Sequence, residues 1–120
     1  MDQAVFQELV SQALDNIPDD LLSCMENVEI VVEEWPTHEH LGGYTIGESD
    51  YLLGLYEGIP LTERSDYGMV LPDKITLFKG AIEAICSSNY EVTQEIRRTV
   101  IHEVAHHFGV GDERLRELGI

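Results

Sequence analysis

Cysteines, basic residues and long apolar runs are all scarce in this chain of 120 residues. Its two cysteines, Cys24 and Cys86, form no C-x-x-C pair, which argues against a disulfide framework. No apolar stretch approaches the length of a signal core or a membrane span, and Met1-Asp2-Gln3 carries no basic side chain. We therefore expect a cytoplasmic protein whose cysteines are small buried side chains.

Basic residues are few compared with acidic ones. The chain has 7 lysines and arginines against 23 aspartates and glutamates, which gives a formal net charge of −16. Such a surface repels phosphate backbones and anionic lipids, so nucleic acid and membranes are excluded as expected partners. The remaining composition, 43% hydrophobic and 25% charged, is typical of a globular protein, and the length suits one domain with one core.

Hydrophobic periodicity divides the chain into helices and short strands. Helical spacing of apolar residues predicts helices at 3–15, 81–87, 91–108 and 113–118, with a short helical turn after Pro18. Runs rich in β-branched and apolar residues predict strands at 28–33, 51–56 and 75–78. The pattern indicates an α+β fold in which helices pack on a small sheet.

One segment of the 91–108 helix combines metal-ligating and acid–base residues. His102-Glu103-Val104-Ala105-His106 is an H-E-x-x-H sequence. Residues four apart leave a helix about 40° apart, so both imidazoles can reach one metal ion at a distance of about 2 Å. Glu103 leaves at another angle, beside the metal, where a base for metal-activated water belongs. The sequence thus predicts His102 and His106 as ligands and Glu103 as the catalytic base.

Catalytic zinc sites usually have three protein ligands, so a third must be found. Gly109 is expected to end the helix in a left-handed turn that brings Asp112 back toward the histidines. Asp112 is the favoured third ligand, although it is also a suitable N-cap for the helix that follows. Glu113 is the alternative carboxylate. His107 falls on the apolar side of the helix, which indicates a packed or supporting histidine and not a ligand.

The motif resembles that of the zincin metallopeptidases. The long form His102-Glu103-x-x-His106-x-x-Gly109-x-x-Asp112 resembles the metzincin signature with aspartate in place of the third histidine. Nearly the whole chain resembles a bacterial family of very small zinc metallopeptidases, the minimal zincin-like domains. The segments that carry this resemblance are residues 53–64, 71–78, 97–109 and 112–119.

The resemblance implies one zincin-like domain over residues 1–120, with a small mixed sheet and the active-site helix near its C-terminal end. It also implies Zn²⁺ held by His102, His106 and Asp112, with Glu103 as the catalytic base. One feature departs from the metzincins, which carry a methionine turn after the third ligand. In this chain the three methionines at positions 1, 25 and 69 all precede the motif.

These residues predict a zinc-dependent metallopeptidase, a hydrolase that cleaves peptide bonds through metal-activated water. Its expected substrate is a peptide or an unfolded protein segment, since a small domain has too few residues to form a deep cleft. An edge strand of larger zincins aligns the substrate as an added strand, a role open here to 51–56 or 75–78. The phenols considered as oxyanion donors include those of Tyr51, Tyr56, Tyr67 and Tyr90.

A non-catalytic metal-binding or protein-interaction module that retains the zincin scaffold is the competing hypothesis. The missing methionine turn and the small size favour it. Glu103 favours the peptidase, because a purely structural site has no use for a base beside an open coordination position.

Overall fold

The chain folds into the α+β arrangement that the sequence predicts. A computed structural model describes residues 1–37, 52–58, 72–109 and 112–117, apart from the side chains at 112, 114 and 115. In chain order the elements are α1 (Gln3–Leu14), α2 (Asp19–Leu22), a 3₁₀ turn (Ser23–Met25), β1 (Val28–Glu33), β2 (Gly54–Glu57), β3 (Asp73–Phe78), α3 (Lys79–Ile85), α4 (Asn89–His107) and α5 (Asp112–Glu117). No helix within these ranges has the length and apolar character needed to span a bilayer.

The sheet is mixed, and β3 is its central strand. β3 runs parallel to β1 and antiparallel to β2, in the order β1-β3-β2. Of the two strands considered for substrate alignment, 75–78 is therefore flanked on both sides. Of these two candidates, β2 is the one that forms an edge of the described sheet.

β2 begins later than the predicted strand at 51–56, whose first residue lies outside the described ranges. The register with β3 decides its bounds, because Gly54 pairs with Leu77 and Glu57 with Lys74. Leu53 precedes the strand and still accepts a hydrogen bond from the Phe78 amide at 2.9 Å. The apolar run at 52–53 therefore leads into the strand instead of forming it.

The hydrophobic core lies between α1, α4 and the sheet. The apolar side of α4 is buried, as are apolar residues of α1 and β3. The main members of the hydrophobic core are Phe6, Leu9, Val10, Ala13, Ile75, Leu77, Ile96, Val100, Ile101, Val104 and Ala105. Phe108, which follows the last turn of α4, is 46% exposed and lies outside this core.

Local caps fix both ends of α4. Ser88 Oγ accepts from the Glu91 amide at 3.2 Å, and the Glu91 carboxylate accepts from the Ser87 amide at 2.8 Å. This reciprocal cap lets the helix begin at Asn89, two residues before its predicted start. At the other end Gly109 takes the expected left-handed conformation, with φ of +76°. The last turn thus contains the second histidine of the motif.

Candidate metal centre

His102 and His106 lie one turn apart on the side of α4 that faces away from the core. Their ring centroids are 5.8 Å apart and their planes meet at 76°. His102 is half-buried and His106 is exposed. Two imidazoles that share a tetrahedral zinc at about 2 Å would have centroids about 5 Å apart. The observed separation of the two rings is therefore close to the one that a shared cation requires.

The described side chains supply only part of a ligand set. Among them no three histidine, cysteine or carboxylate groups lie close enough to hold a metal together. Asp112 forms the first residue of α5, three positions after the turn at Gly109. Its side chain lies outside the described part of the chain, so its assignment as a ligand stays a prediction. Glu113, the alternative, is exposed on the same helix.

Glu103 reaches from α4 to the edge of the sheet. Its Oε1 atom accepts a hydrogen bond from the backbone N–H of Tyr56 at 3.0 Å, and its side chain is half-buried. Within the described ranges this backbone N–H is the donor that contacts the carboxylate. Glu103 is thus held beside the histidine pair, with Oε2 as its second oxygen. The role of Glu103 as a base stays a prediction from the sequence.

Tyr56 is fixed on two sides by neighbouring elements. Its hydroxyl donates to Asp73 Oδ2 at 2.8 Å, and Asp73 is the first residue of β3. Its ring stacks on the His107 imidazole, with centroids 3.9 Å apart and planes inclined by 19°. His107 is therefore a packed histidine as predicted, although it is exposed to solvent and does not lie in the apolar core.

The tyrosines considered as oxyanion donors differ in their positions and contacts in the structure. The Tyr56 hydroxyl is bonded to Asp73. Tyr90 lies in the first turn of α4 and is 74% exposed. It precedes His102 by 12 residues, which is about 18 Å along a helix, so Tyr90 cannot serve this site. Tyr51 and Tyr67 lie outside the described residues.

A cleft runs along α4 beside His102 and Glu103 and borders the chain that leads into β2. It has a volume of about 260 Å³ and is lined by Leu52, Leu53, Gly54, Glu95, Arg98, Thr99, His102 and Glu103. Gly54 allows the close approach of the strand to the helix, because a Cβ there would lie 2.6 Å from Thr99 Cγ2. No local pattern marks these lining residues as a group, since the contacts join segments more than 40 positions apart.

Comparison with known proteins decides the family. Residues 25–120 match the model of the zincin-like metallopeptidase family. The chain belongs to this family. The zincin-like α+β fold predicted from the sequence is thereby confirmed. No curated protein matches the chain.

A solved structure is similar to this zincin-like protein over most of both chains. It is a conserved hypothetical protein from Thermus thermophilus, with 24% sequence identity and a TM-score of 0.57. The match covers 90% of this chain and 94% of that one. At this identity the likeness supports the fold alone.

The donor chemistry of the zincin-like site fits zinc. Imidazole and carboxylate groups together are suited to Zn²⁺, and the two rings have nearly the separation that a shared cation requires. Glu103 is bonded through Oε1 to the edge strand β2. The structure places His102, Glu103 and His106 in the last two turns of α4, and their assignment as ligands and base stays a prediction.

Proposed function

We propose that this zincin-like protein is a zinc-dependent metallopeptidase in which His102, His106 and Asp112 hold the metal. The observation that supports this most strongly is the placement of Glu103 beside the histidine pair, held by the edge strand at 3.0 Å. When bound, zinc would activate a water molecule and stabilise the negative charge that develops on the peptide oxygen.

Glu103 acts as the general base in this proposal. Its Oε1 atom is engaged by the Tyr56 amide, so Oε2 is the oxygen that takes the proton of the attacking water. The same oxygen then returns the proton to the leaving amine. The two imidazoles hold the cation and take no part in proton transfer.

The proposed substrate is a peptide or an unfolded protein segment that lies along the cleft. The cleft is small and open to solvent, and it follows the backbone from Leu52 to Gly54. The backbone groups of Gly54 face away from β3, because the hydrogen-bonded residues of an antiparallel pair alternate and Leu53 is bonded to Phe78. An extended peptide can therefore pair with this backbone as an added strand.

Peptide hydrolysis and metal content, measured on the same preparations, test the proposal. The zinc-loaded wild type is expected to cleave members of a library of short peptides, and a chelator is expected to abolish cleavage. Glu103→Ala should keep one zinc per chain and lose hydrolysis by at least about 100-fold. His106→Ala should lose the zinc, whereas the neighbouring control His107→Gln should retain it.

Two outcomes would contradict this assignment. Hydrolysis that survives Glu103→Ala would remove the base from the mechanism. Zinc that stays bound in His106→Ala, but is lost in His107→Gln, would place the metal elsewhere on α4.

A second candidate is a metal-binding module that captures peptides without cleaving them. The small volume of the cleft, about 260 Å³, favours this interpretation, because little of a substrate would be enclosed. A module would bind peptides equally well with and without the Glu103 carboxylate and would cleave none of them. The same library, assayed for binding as well as for cleavage, separates the two candidates.

A further inference from the structure

We propose that the backbone N–H of Tyr56 is the positioning group of Glu103, holding Oε1 so that Oε2 faces the proposed metal position. This inference rests on the proposed function for its catalytic meaning. The contact itself joins two protein groups and includes no metal. It joins residues 47 positions apart, from an edge strand to the active-site helix.

The register of β2 leaves the Tyr56 amide facing away from the sheet. Leu53 accepts from the Phe78 amide, so Leu53 belongs to a hydrogen-bonded pair with β3. Such pairs recur at every second residue of an antiparallel strand. Leu55, opposite Thr76, therefore bonds to β3, while Tyr56 points its N–H outward to the carboxylate.

The Tyr56 side chain fixes this amide in place. Its hydroxyl is tied to Asp73 at the start of β3, and its ring lies on His107 at the end of α4. Gly58 lies close by, since a Cβ there would be 3.4 Å from His107 Cε1. The donor is thus anchored to the central strand and also to the helix that carries Glu103, so their separation is fixed.

A glutamate needs such a donor, because its side chain has three rotatable bonds and the position of its carboxylate is otherwise set by solvent. A hydrogen bond from a rigid amide selects one orientation before the substrate arrives. The hydrogen bond also gives the two carboxylate oxygens of Glu103 different roles, since Oε1 is held and Oε2 accepts the proton. Tyr56 therefore acts through Glu103 and does not itself touch the substrate in this role.

Amide hydrogen exchange in the metal-free protein tests the contact without any assay of activity. Replacing the acceptor with Glu103→Ala should accelerate exchange of the Tyr56 amide by about tenfold. The Leu55 amide, bonded to β3, should keep its rate and serves as the internal control. Equal Tyr56 rates in the wild type and the variant would overturn the proposal.

Amide-to-ester exchange tests the catalytic role. Hydroxyphenyl-lactic acid in place of Tyr56 removes this N–H and keeps the side chain. We expect kcat to fall by about tenfold or more with KM unchanged. The matched control places leucic acid at Leu55, which removes an amide bonded to β3 and should lower stability while kcat is retained.

The two measurements separate the inference from the proposed function. A wild type that hydrolyses peptides, together with a Tyr56 ester of unchanged kcat, would overturn the positioning role alone. A wild type that hydrolyses nothing would overturn the proposed function, and hydrogen exchange would then decide whether the contact exists.

Discussion

Asp112 and Glu113 are neighbouring carboxylates at the start of α5, and we expect the first to complete the metal site. Gly109 turns the chain at the end of α4, and Asp112 follows three residues later. Asp112→Asn should weaken zinc binding by more than about 100-fold, because a ligand is lost, whereas Glu113→Gln should change it little. Competition with a zinc-sensitive dye measures both. A larger loss in Glu113→Gln would reassign the third ligand.

The approach of β2 to α4 depends on Gly54. A Cβ at this position would meet Thr99 Cγ2 at 2.6 Å, which is too close to accommodate. Gly54→Ala should lower the free energy of unfolding by about 1–3 kcal/mol, as overpacking usually does.

Thr99→Ser, which removes the clashing methyl group, supplies the control for Gly54→Ala. The double variant should recover part of the loss in urea unfolding, because the two substitutions share one contact. Strictly additive effects of the two changes would show that this contact does not set the spacing between β2 and α4.

At this scale the sequence predicts the histidine pair and its glutamate, because all three lie within about one turn of one helix. It does not predict the partner of Glu103. The donor is a backbone N–H, which every residue but proline has, and it comes from a strand 47 positions away. Tyr56 was identifiable only as a phenol, whereas its amide makes the contact that matters for Glu103.

The helices and strands differ in how closely their observed bounds agree with the bounds predicted from the sequence. β1 spans Val28–Glu33, as predicted, because a continuous β-branched run leaves little choice. α1 and α4 also agree with the prediction to within two residues. β2 does not, because its bounds depend on pairing with β3, and no local pattern encodes that register.

The turn at Gly109, which ends α4, can also be tested. Gly109 has a φ of +76°, and no atom lies within 4 Å of where its Cβ would be. Gly109→Ala should therefore cost about 1–2 kcal/mol of unfolding free energy from the backbone alone. Gly109→Asn should cost less, since asparagine tolerates this region. Equal losses in chemical denaturation of the metal-free variants would contradict this explanation.

At the scale of the whole molecule, an ion-pair cluster joins the N-terminus, the end of β1 and α3. Lys79 Nζ lies 3.1 Å from Glu83 and 3.4 Å from Glu34, and the Met1 amine lies 3.5 Å from Glu83. The hydrogen bond to Glu83 is the main cause that raises the pKa of Lys79 above its ordinary value of 10.5. The charged form of Lys79 therefore stabilises the folded state.

Because this pKa is raised on folding, the contribution of Lys79 is complete below pH 10.5 and is lost as the pH rises through the folded-state value. Lys79→Met should thus be less stable than the wild type at neutral pH. The difference in unfolding free energy should stay constant to about pH 10 and shrink at higher pH. Urea unfolding across this range provides the check, and a difference that grows with pH would contradict the assignment.

Composition predicts the class of the molecule, but it does not predict the detailed shape of the molecule equally well. A net charge of −16 and one helical motif suffice to indicate a small acidic metalloprotein. The cleft between α4 and the approach to β2 depends on the packing of Gly54 against Thr99, a contact between distant segments that the spacing of motif residues does not encode.

X-ray absorption at the zinc edge, on protein loaded with one equivalent of metal, tests the central claim most directly. We expect four nitrogen or oxygen neighbours at about 2.0–2.1 Å, with the scattering pattern of two imidazoles. His102→Ala and His106→Ala should each fail to retain the zinc, and Glu103→Ala should leave the spectrum unchanged. A wild-type spectrum without imidazole scattering would contradict the assignment of this helix as the metal site.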